Sequence, residues 1–262
     1  MSKKLGVVLG AGGARGVVHI GFLQALEESG IKPDMITGCS MGSVVGACYC
    51  YGLTPEDMYK RVSKLKLGDI FDLSINPWKS GALLRANKMY EQIKKIIGTT
   101  TFDELKIPFR CVAVDLYTGD LKVFDGEKEV AKCVAASCSI PGIFRPIEMD
   151  GSLLVDGGVK CRVPMEEMKQ MNPDVIVAVD VLGVPQTTDK KFNMLTVLLR
   201  SFEIMDGELI GHKKLTSNPD LFIEPELGDM SQYKFKNIQK AYEIGYQAGL
   251  DNVNRIKELI AE

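Results

Sequence analysis

A serine held between two glycines, Gly38-Cys39-Ser40-Met41-Gly42, narrows the folds open to this chain more than any other feature. It stands where an apolar run, Met35-Ile36-Thr37, meets a run of small residues, Ser43-Val44-Val45-Gly46. The first run predicts a short strand and the second a helix. Glycine two places before and two places after the serine leaves no Cβ to clash in a tight strand-to-helix turn, so Oγ stands exposed over the helix N-terminus. The helix dipole there favours developing negative charge. Pentapeptides of this composition also occur as ordinary turns, so the assignment of a nucleophile rests on what accompanies it.

The first companion lies upstream. Leu5-Gly6-Val7-Val8-Leu9, then Gly10-Ala11-Gly12-Gly13-Ala14-Arg15-Gly16, then a periodic run from Val17 to Leu26 reads as strand, glycine loop and helix. A dinucleotide fingerprint begun at Gly10 needs glycine where Arg15 stands, and one begun at Gly12 needs glycine where Ala14 stands. No Gly-Lys-Ser/Thr follows at the spacing of a P-loop. An oxyanion hole is the better use, with the backbone N–H groups of Gly12 and Gly13 as the candidate donors, and a nucleotide-binding protein that uses the loop for phosphate stays open as the lesser alternative.

The second companion is Leu153-Leu154-Val155-Asp156-Gly157-Gly158, an apolar strand ending in an acid. Taken alone it reads as a turn, since Asp-Gly is a strong turn signal. The supply of bases raises its interest. The chain has two histidines. His19 falls inside the predicted first helix among Val17, Val18 and Ile20 and reads as a packed core residue; His212 lies in Gly211-His212-Lys213-Lys214 amid charges. The order Ser40, Asp156, His212 matches that of α/β-hydrolases, but that fold carries its nucleophile after several strands rather than at residue 40. A Ser40–Asp156 pair accounts for the residues without a histidine. An aspartate at its reference pKa of about 3.9 is a weak base, so the pair calls for a partly buried, glycine-lined pocket.

Three blocks together resemble the bacterial patatin-like phospholipases. They are Gly12-Gly13-Ala14-Arg15-Gly16 with His19-Ile20-Gly21, then Gly38-Cys39-Ser40-Met41-Gly42, then Ala136-Ser137-Cys138-Ser139-Ile140-Pro141-Gly142-Ile143-Phe144 running on to Val155-Asp156-Gly157-Gly158. The resemblance spans roughly residues 5 to 182. It implies a three-layer architecture and a Ser-Asp dyad of Ser40 and Asp156 that cleaves acyl esters of lipids. It also implies oxyanion donors at Gly12 and Gly13, and an Arg15 that supports the oxyanion hole or meets substrate phosphate. Gly10, Gly16, Gly38, Gly42, Gly157 and Gly158 are the motif glycines. Two positions depart from the pattern: Ala11 stands where the first of three glycines is common, and Cys161 where an asparagine commonly follows Asp-Gly-Gly. The second removes a polar side chain that would brace the loop of Asp156, and so keeps open a regulatory protein on the same fold with weak turnover.

Composition fits this class. A chain of 262 residues, 45% hydrophobic, is long enough for one large α/β core, and the expected division is a motif-bearing part over about 5–182 and a helical part over about 190–262 of a single domain. A formal charge of −2 argues against nucleic acid as a partner. Seven scattered cysteines without C-x-x-C predict small core residues in a reduced compartment, hence the cytoplasm, with no metal site and no cofactor. Met1-Ser2-Lys3-Lys4 leads straight into strand character, unlike a signal peptide, and no apolar run reaches about 18 residues. A lipid or acyl-ester substrate would be met by transient contact at a membrane surface, and oligomerisation stays open.

The predicted order is strand 5–9, helix 15–29, strand 34–39, helices 41–52, 55–66 and 87–97, a strand near 109–115 with a hairpin partner at 121–124, helix 127–138, the Asp156 strand, a buried strand over 175–181, and helices near 192–206 and 235–260. This alternation predicts an open, mostly parallel α/β sheet with helices on both faces and the site at the strand C-termini. The loop 68–86, with Phe71 and Trp78, reads as a packed anchor or a lid. The run from Met194 to Met205 is apolar enough to invite a membrane-surface reading, but its basic residues are too few for that, and it reads as a core helix or an oligomer contact.

Overall fold

The computed structural model describes residues 3–65, 82–84, 87–183, 192–228, 230–232 and 237–261. Phe71 and Trp78 of the 68–86 loop lie outside the described residues.

Five short apolar segments build the parallel part of the main sheet: β10 (Leu221–Ile223), β9 (Val175–Val179), β1 (Leu5–Leu9), β2 (Met35–Cys39) and β4 (Phe109–Asp115), side by side in that order. The two central strands, β1 and β9, are buried at every residue, as strands covered on both faces must be. Side-chain alternation divides β1 between two cores. Leu5, Val7 and Leu9 enter the larger core with residues of α1 (Val17–Glu28), α2 (Met41–Tyr51) and α8 (Ile238–Ala261). Val8 points to the other face, onto Met165 and Met168 of α6 (Met165–Lys169) and Ile210 of α7 (Met194–Ser217). Helices therefore cover both faces, as the alternation predicted. Helix α8 lies hard against α1, with Gly249 so close that an added Cβ would sit 2.5 Å from the Ala25 methyl and 3.1 Å from the Phe22 carbonyl.

Helix α3 (Pro55–Val62) opens with proline at its first turn and the Thr54 hydroxyl accepting from Asp57 N–H. Helices α4 (Asn87–Ile97) and α5 (Val130–Ser137) add to the larger core, and a small parallel pair, β3 (Ala82–Leu84) and β6 (Gly142–Phe144), stands apart from the main sheet. Among the described residues no helix is long and apolar enough to cross a membrane.

The main sheet is mostly parallel, as expected, and β5 (Leu121–Phe124) is the expected hairpin partner of β4; β5, β7 (Ile147–Met149) and β8 (Ser152–Asp156) are antiparallel to their neighbours. Residues 111–114 of β4 pair with β5 along one edge. The other edge is shared: β2 pairs up to Val112, and β8 takes over from Ala113 in the opposite direction. Two strands running toward each other along one edge must meet end to end. The residues at that meeting point are Cys39, which leads into Ser40, and Asp156. Two sequence segments 116 residues apart are thus brought together by register alone.

Candidate active site

Ser40 sits between β2 and α2 with φ 51° and ψ −124°, a left-handed conformation in which a residue with a side chain is strained by about 1–3 kcal/mol. Its surroundings hold it there. Ser40 N–H donates to Ser137 Oγ at 2.9 Å, and its carbonyl accepts from Ser43 Oγ at 2.6 Å and Ser43 N–H at 2.9 Å. The flanking glycines are required by close approach rather than by dihedral angle: a Cβ on Gly38 would lie 2.7 Å from the Ser43 Cα, and one on Gly42 would lie 2.5 Å from the Gly10 carbonyl. The second contact also presses the Ser40 turn against the glycine loop. Ser137 is fully buried, so Ser137→Ala should strand the Ser40 N–H. The expected cost is about 1–2 kcal/mol in a thermal melt; an unchanged melting temperature would show that the bond does not hold the turn in place.

Asp156 approaches from the end of β8. Its Oδ2 accepts from Ser40 Oγ–H at 2.6 Å, and its Oδ1 accepts from Gly158 N–H at 2.8 Å and lies 3.8 Å from Cys39 Sγ. The Asp156 N–H donates to the Ser139 carbonyl at 3.0 Å. Both members of the pair are buried. Burial pushes the Asp156 carboxyl up to about 6, against the pull of the hydrogen bonds from Ser40, Gly158 and Cys39. Cys161, the second of the two departures noted in the sequence, does not loosen this loop: its N–H donates to the Gly157 carbonyl at 2.7 Å, and its thiol is buried 3.7 Å from both the Val163 carbonyl and Glu167. The backbone supplies the brace.

The glycine loop follows β1. Gly10 N–H donates to the Val179 carbonyl, Ala11 N–H to Arg162, Ala14 N–H to Gln232 and Arg15 N–H to Gly12. The N–H groups of Gly12 and Gly13 have no acceptor among the described residues. Gly13 has φ +51° and abuts the Gln232 carbonyl, so only glycine fits. A Cβ on Gly16 would meet Met41 at 2.6 Å, which sets the loop against the first turn of α2. Arg15 lies across this region as a strap, Nε donating to the Met230 carbonyl at 2.7 Å and Nη1 to the Leu182 carbonyl at 3.0 Å.

Neither histidine touches the pair. His19 is buried in α1, where desolvation pushes it down to about 4, and its Nε2–H donates to the Gly10 carbonyl at 2.8 Å. It is a neutral brace for the glycine loop. His212 is exposed on α7, and Ser40 reaches Asp156 directly with no imidazole between them.

Sequence reasoning passed over Arg162. It is 2% exposed, and its guanidinium bonds Asp180 at the end of β9 (2.6 Å), Asp206 of α7 (2.8 Å) and the Gly183 carbonyl (3.0 Å), while its own carbonyl receives Ala11 N–H. One residue thus ties the glycine loop, the central strand and α7 together. The available signal was an acid, Asp180, closing an otherwise apolar strand, since a buried carboxylate needs a cation.

Comparison with known proteins sets this geometry among others. The family model described as patatin-like phospholipase matches residues 7–169. An uncharacterized NTE family protein of Mycobacterium tuberculosis is 37% identical over 185 residues, which is 70% of this chain and 50% of that protein. Lysophospholipase nte1 of Emericella nidulans is 27% identical over 281 residues, 97% of this chain but 18% of that protein. The chain therefore spans about half the length of the mycobacterial relative and under a fifth of the fungal one. Among solved structures, VipD from Legionella pneumophila shares the fold with a TM-score of 0.61 at 14% identity, over 99% of this chain and 67% of that one.

Proposed function

The chain belongs to the patatin-like phospholipase family, and on that premise we propose that it hydrolyses carboxylic ester bonds of lipids with a Ser40–Asp156 dyad and the Gly12 and Gly13 amides as its oxyanion hole. The observation that carries this reading is the 2.6 Å bond from Ser40 Oγ to a buried carboxylate, beside a loop whose two glycine amides meet no acceptor among the described residues.

In the acylation step Ser40 Oγ attacks the acyl carbonyl carbon as its proton passes to Asp156 Oδ2. The tetrahedral oxyanion is held by the Gly12 and Gly13 N–H groups, and one such donor is typically worth about a hundredfold or more in rate. Collapse breaks the bond to the leaving alcohol, which takes the proton from Asp156. Water then attacks the acyl-serine ester as Asp156 takes its proton, and collapse breaks the bond to Ser40 Oγ, which takes that proton back from Asp156 as the fatty acid leaves. Arg15 supports this chemistry by fixing the loop through Met230 and Leu182. Phospholipids and lysophospholipids are the proposed substrates, met at a lipid surface from the cytoplasmic side. All seven cysteines are free and buried, as a reducing compartment allows.

A carboxyl pushed up to about 6 is ionised at neutral pH and yet a stronger base than an ordinary aspartate. Since only the ionised form accepts the serine proton, kcat/KM for fatty-acid release should rise through pH 6 and level off above pH 7 as a single ionisation. The assay is fatty-acid release from phosphatidylcholine, lysophosphatidylcholine and short-chain esters across that range. Absence of release from every ester at every pH rejects the hydrolase; release that stays flat down to about pH 4 rejects Asp156 as its base.

A further inference from the structure

Helix α7 is turned inside out. Residues Leu199, Glu203, Asp206, Ile210, Lys213 and Ser217 recur at helical spacing and make up the side facing the protein. The polar members are anchored: Gln232 Nε2 donates to Glu203 at 2.6 Å, Arg162 Nη1 to Asp206 at 2.8 Å, and Lys213 Nζ to the Lys160 carbonyl at 2.8 Å. Three bonds spread over nearly three turns fix the helix's rotation about its axis. A flank about a quarter-turn round the helix carries Leu198, Phe202, Met205 and Leu209, again at helical spacing, and these are 51%, 38%, 61% and 40% exposed. Val197 and Ile204, on the side opposite the anchors, are 49% and 52% exposed, so the exposed apolar residues run from the flank to the back of the helix. A helix at a water-facing surface normally shows the reverse arrangement, and a contiguous exposed apolar stripe marks a contact. This corrects the expectation of a core helix for the 194–205 run: its apolar residues mostly face outward.

We propose that this outward stripe of α7 is where the protein lies on a zwitterionic phospholipid surface. A second copy of the chain is the weaker occupant on size. A 24-residue helix is about 36 Å long and about 10 Å across, so its face offers roughly 360 Å², under half of the about 800 Å² per partner in a standard stable interface. Charge points the same way. Among Val197, Leu198, Ser201, Phe202, Ile204, Met205, Glu208 and Leu209 there is one ionised side chain, which suits an uncharged acyl layer and gives an anionic headgroup no cation to meet. The anchored side of the same helix packs next to the proposed site. Gln232, which bonds Glu203, receives Ala14 N–H from the glycine loop; Arg162 receives Ala11 N–H; Lys160 follows the turn after Asp156. Three ties therefore fix α7, and with it any surface it lies on, relative to the loops that carry Ser40 and Asp156. The docking of a lipid surface on α7 draws its purpose from the lipid hydrolase reading, but its test does not depend on turnover.

The test places Leu198→Glu and Met205→Glu together in two backgrounds. In a Ser40→Ala chain, which leaves the lipid intact, flotation with phosphatidylcholine vesicles should show binding that the pair lowers at least tenfold. That binding should be insensitive to salt between about 0.05 and 0.5 M, since no charge pairing drives it. In the active chain the pair should lower release from vesicles at least tenfold and leave cleavage of a soluble short-chain ester within twofold, with an unchanged melting temperature. The surface assignment is overturned if the Ser40→Ala chain does not float, if the pair floats equally well, or if sedimentation shows a dimer that the pair converts to monomer. Vesicle binding lost in the pair without ester cleavage by any version would uphold the surface and reject the hydrolase. Cleavage of the soluble ester with vesicle binding untouched by the pair would do the opposite.

Discussion

Ser40→Ala should lose fatty-acid release by at least about 10⁴-fold and lose covalent labelling by a fluorophosphonate altogether, while His212→Ala stays within about twofold of the parent in both. The size of the first effect follows from the role of the group: with Oγ gone there is no acyl-enzyme, and the glycine amides can polarise a carbonyl only for unassisted attack by water. The contrast with His212 carries the diagnosis. Ser40 Oγ meets Asp156 at 2.6 Å, and His212 is exposed on α7, so a triad would need the helix to turn against three polar ties. Equal loss in both variants would reject the dyad. A companion substitution separates chemistry from folding. Ser40→Gly removes the same hydroxyl and relieves a side chain held at φ 51°, so it should be equally inactive yet melt higher than Ser40→Ala, by on the order of 1 kcal/mol. That outcome marks the strain as a cost of presenting the nucleophile.

How much of this was legible beforehand depends on the range of the interaction that fixes each part. The elbow was legible because Gly38 and Gly42 answer a local steric demand, the crossing of β2, α2 and the glycine loop within a few residues. So was the β4–β5 hairpin, whose turn is closed by Gly119 at φ 75°. Other boundaries moved for physical reasons. Helix α7 runs on to Ser217 through Gly207 and Gly211, because the inward bonds from Asp206 and Lys213 outweigh the glycines' poor helix propensity. The helix expected from 127 starts at Val130, because Glu129 is taken up in a bridge to Thr101. The reversed direction of β8 was not legible. An apolar strand reads alike in either sense, and direction is set by which edge of β4 remains free after β2 ends. For the same reason the sequence named Ser40 and Asp156 from their motifs but gave no hint that two converging strands bring them together. Arg162 lay hidden because its partners, Asp180 and Asp206, are 18 and 44 residues away and follow no motif spacing.

Asp156→Asn should be both nearly inactive and more heat-stable at neutral pH. The loss of activity, about 10⁴-fold, follows because an amide accepts no proton from Ser40 and the described surroundings offer no second base: His19 is buried against Gly10, and Cys39 and Cys138 are buried thiols pushed well up by desolvation. The gain in stability follows from the sign of the Asp156 shift. Unfolded, the carboxyl titrates near its ordinary 3.8; folded, it is pushed to about 6 by burial. Between those values the folded chain keeps a proton that the unfolded chain has released, so this group's contribution to stability falls as pH rises through that window. Above about 6 the buried charge exacts its full cost, on the order of 1–3 kcal/mol. Asparagine carries no such charge, although its buried N–H groups recover only part of that difference. The melting temperature of Asp156→Asn should therefore exceed the parent's by a few degrees at pH 7.5, with the gap closing toward pH 4. Asp206, also pushed to about 6 by burial, titrates in both proteins and cancels from the comparison. A gap of the same size at both pH values would mean that Asp156 is not held as a strained buried charge, and the pH dependence proposed for catalysis would lose its physical basis with it.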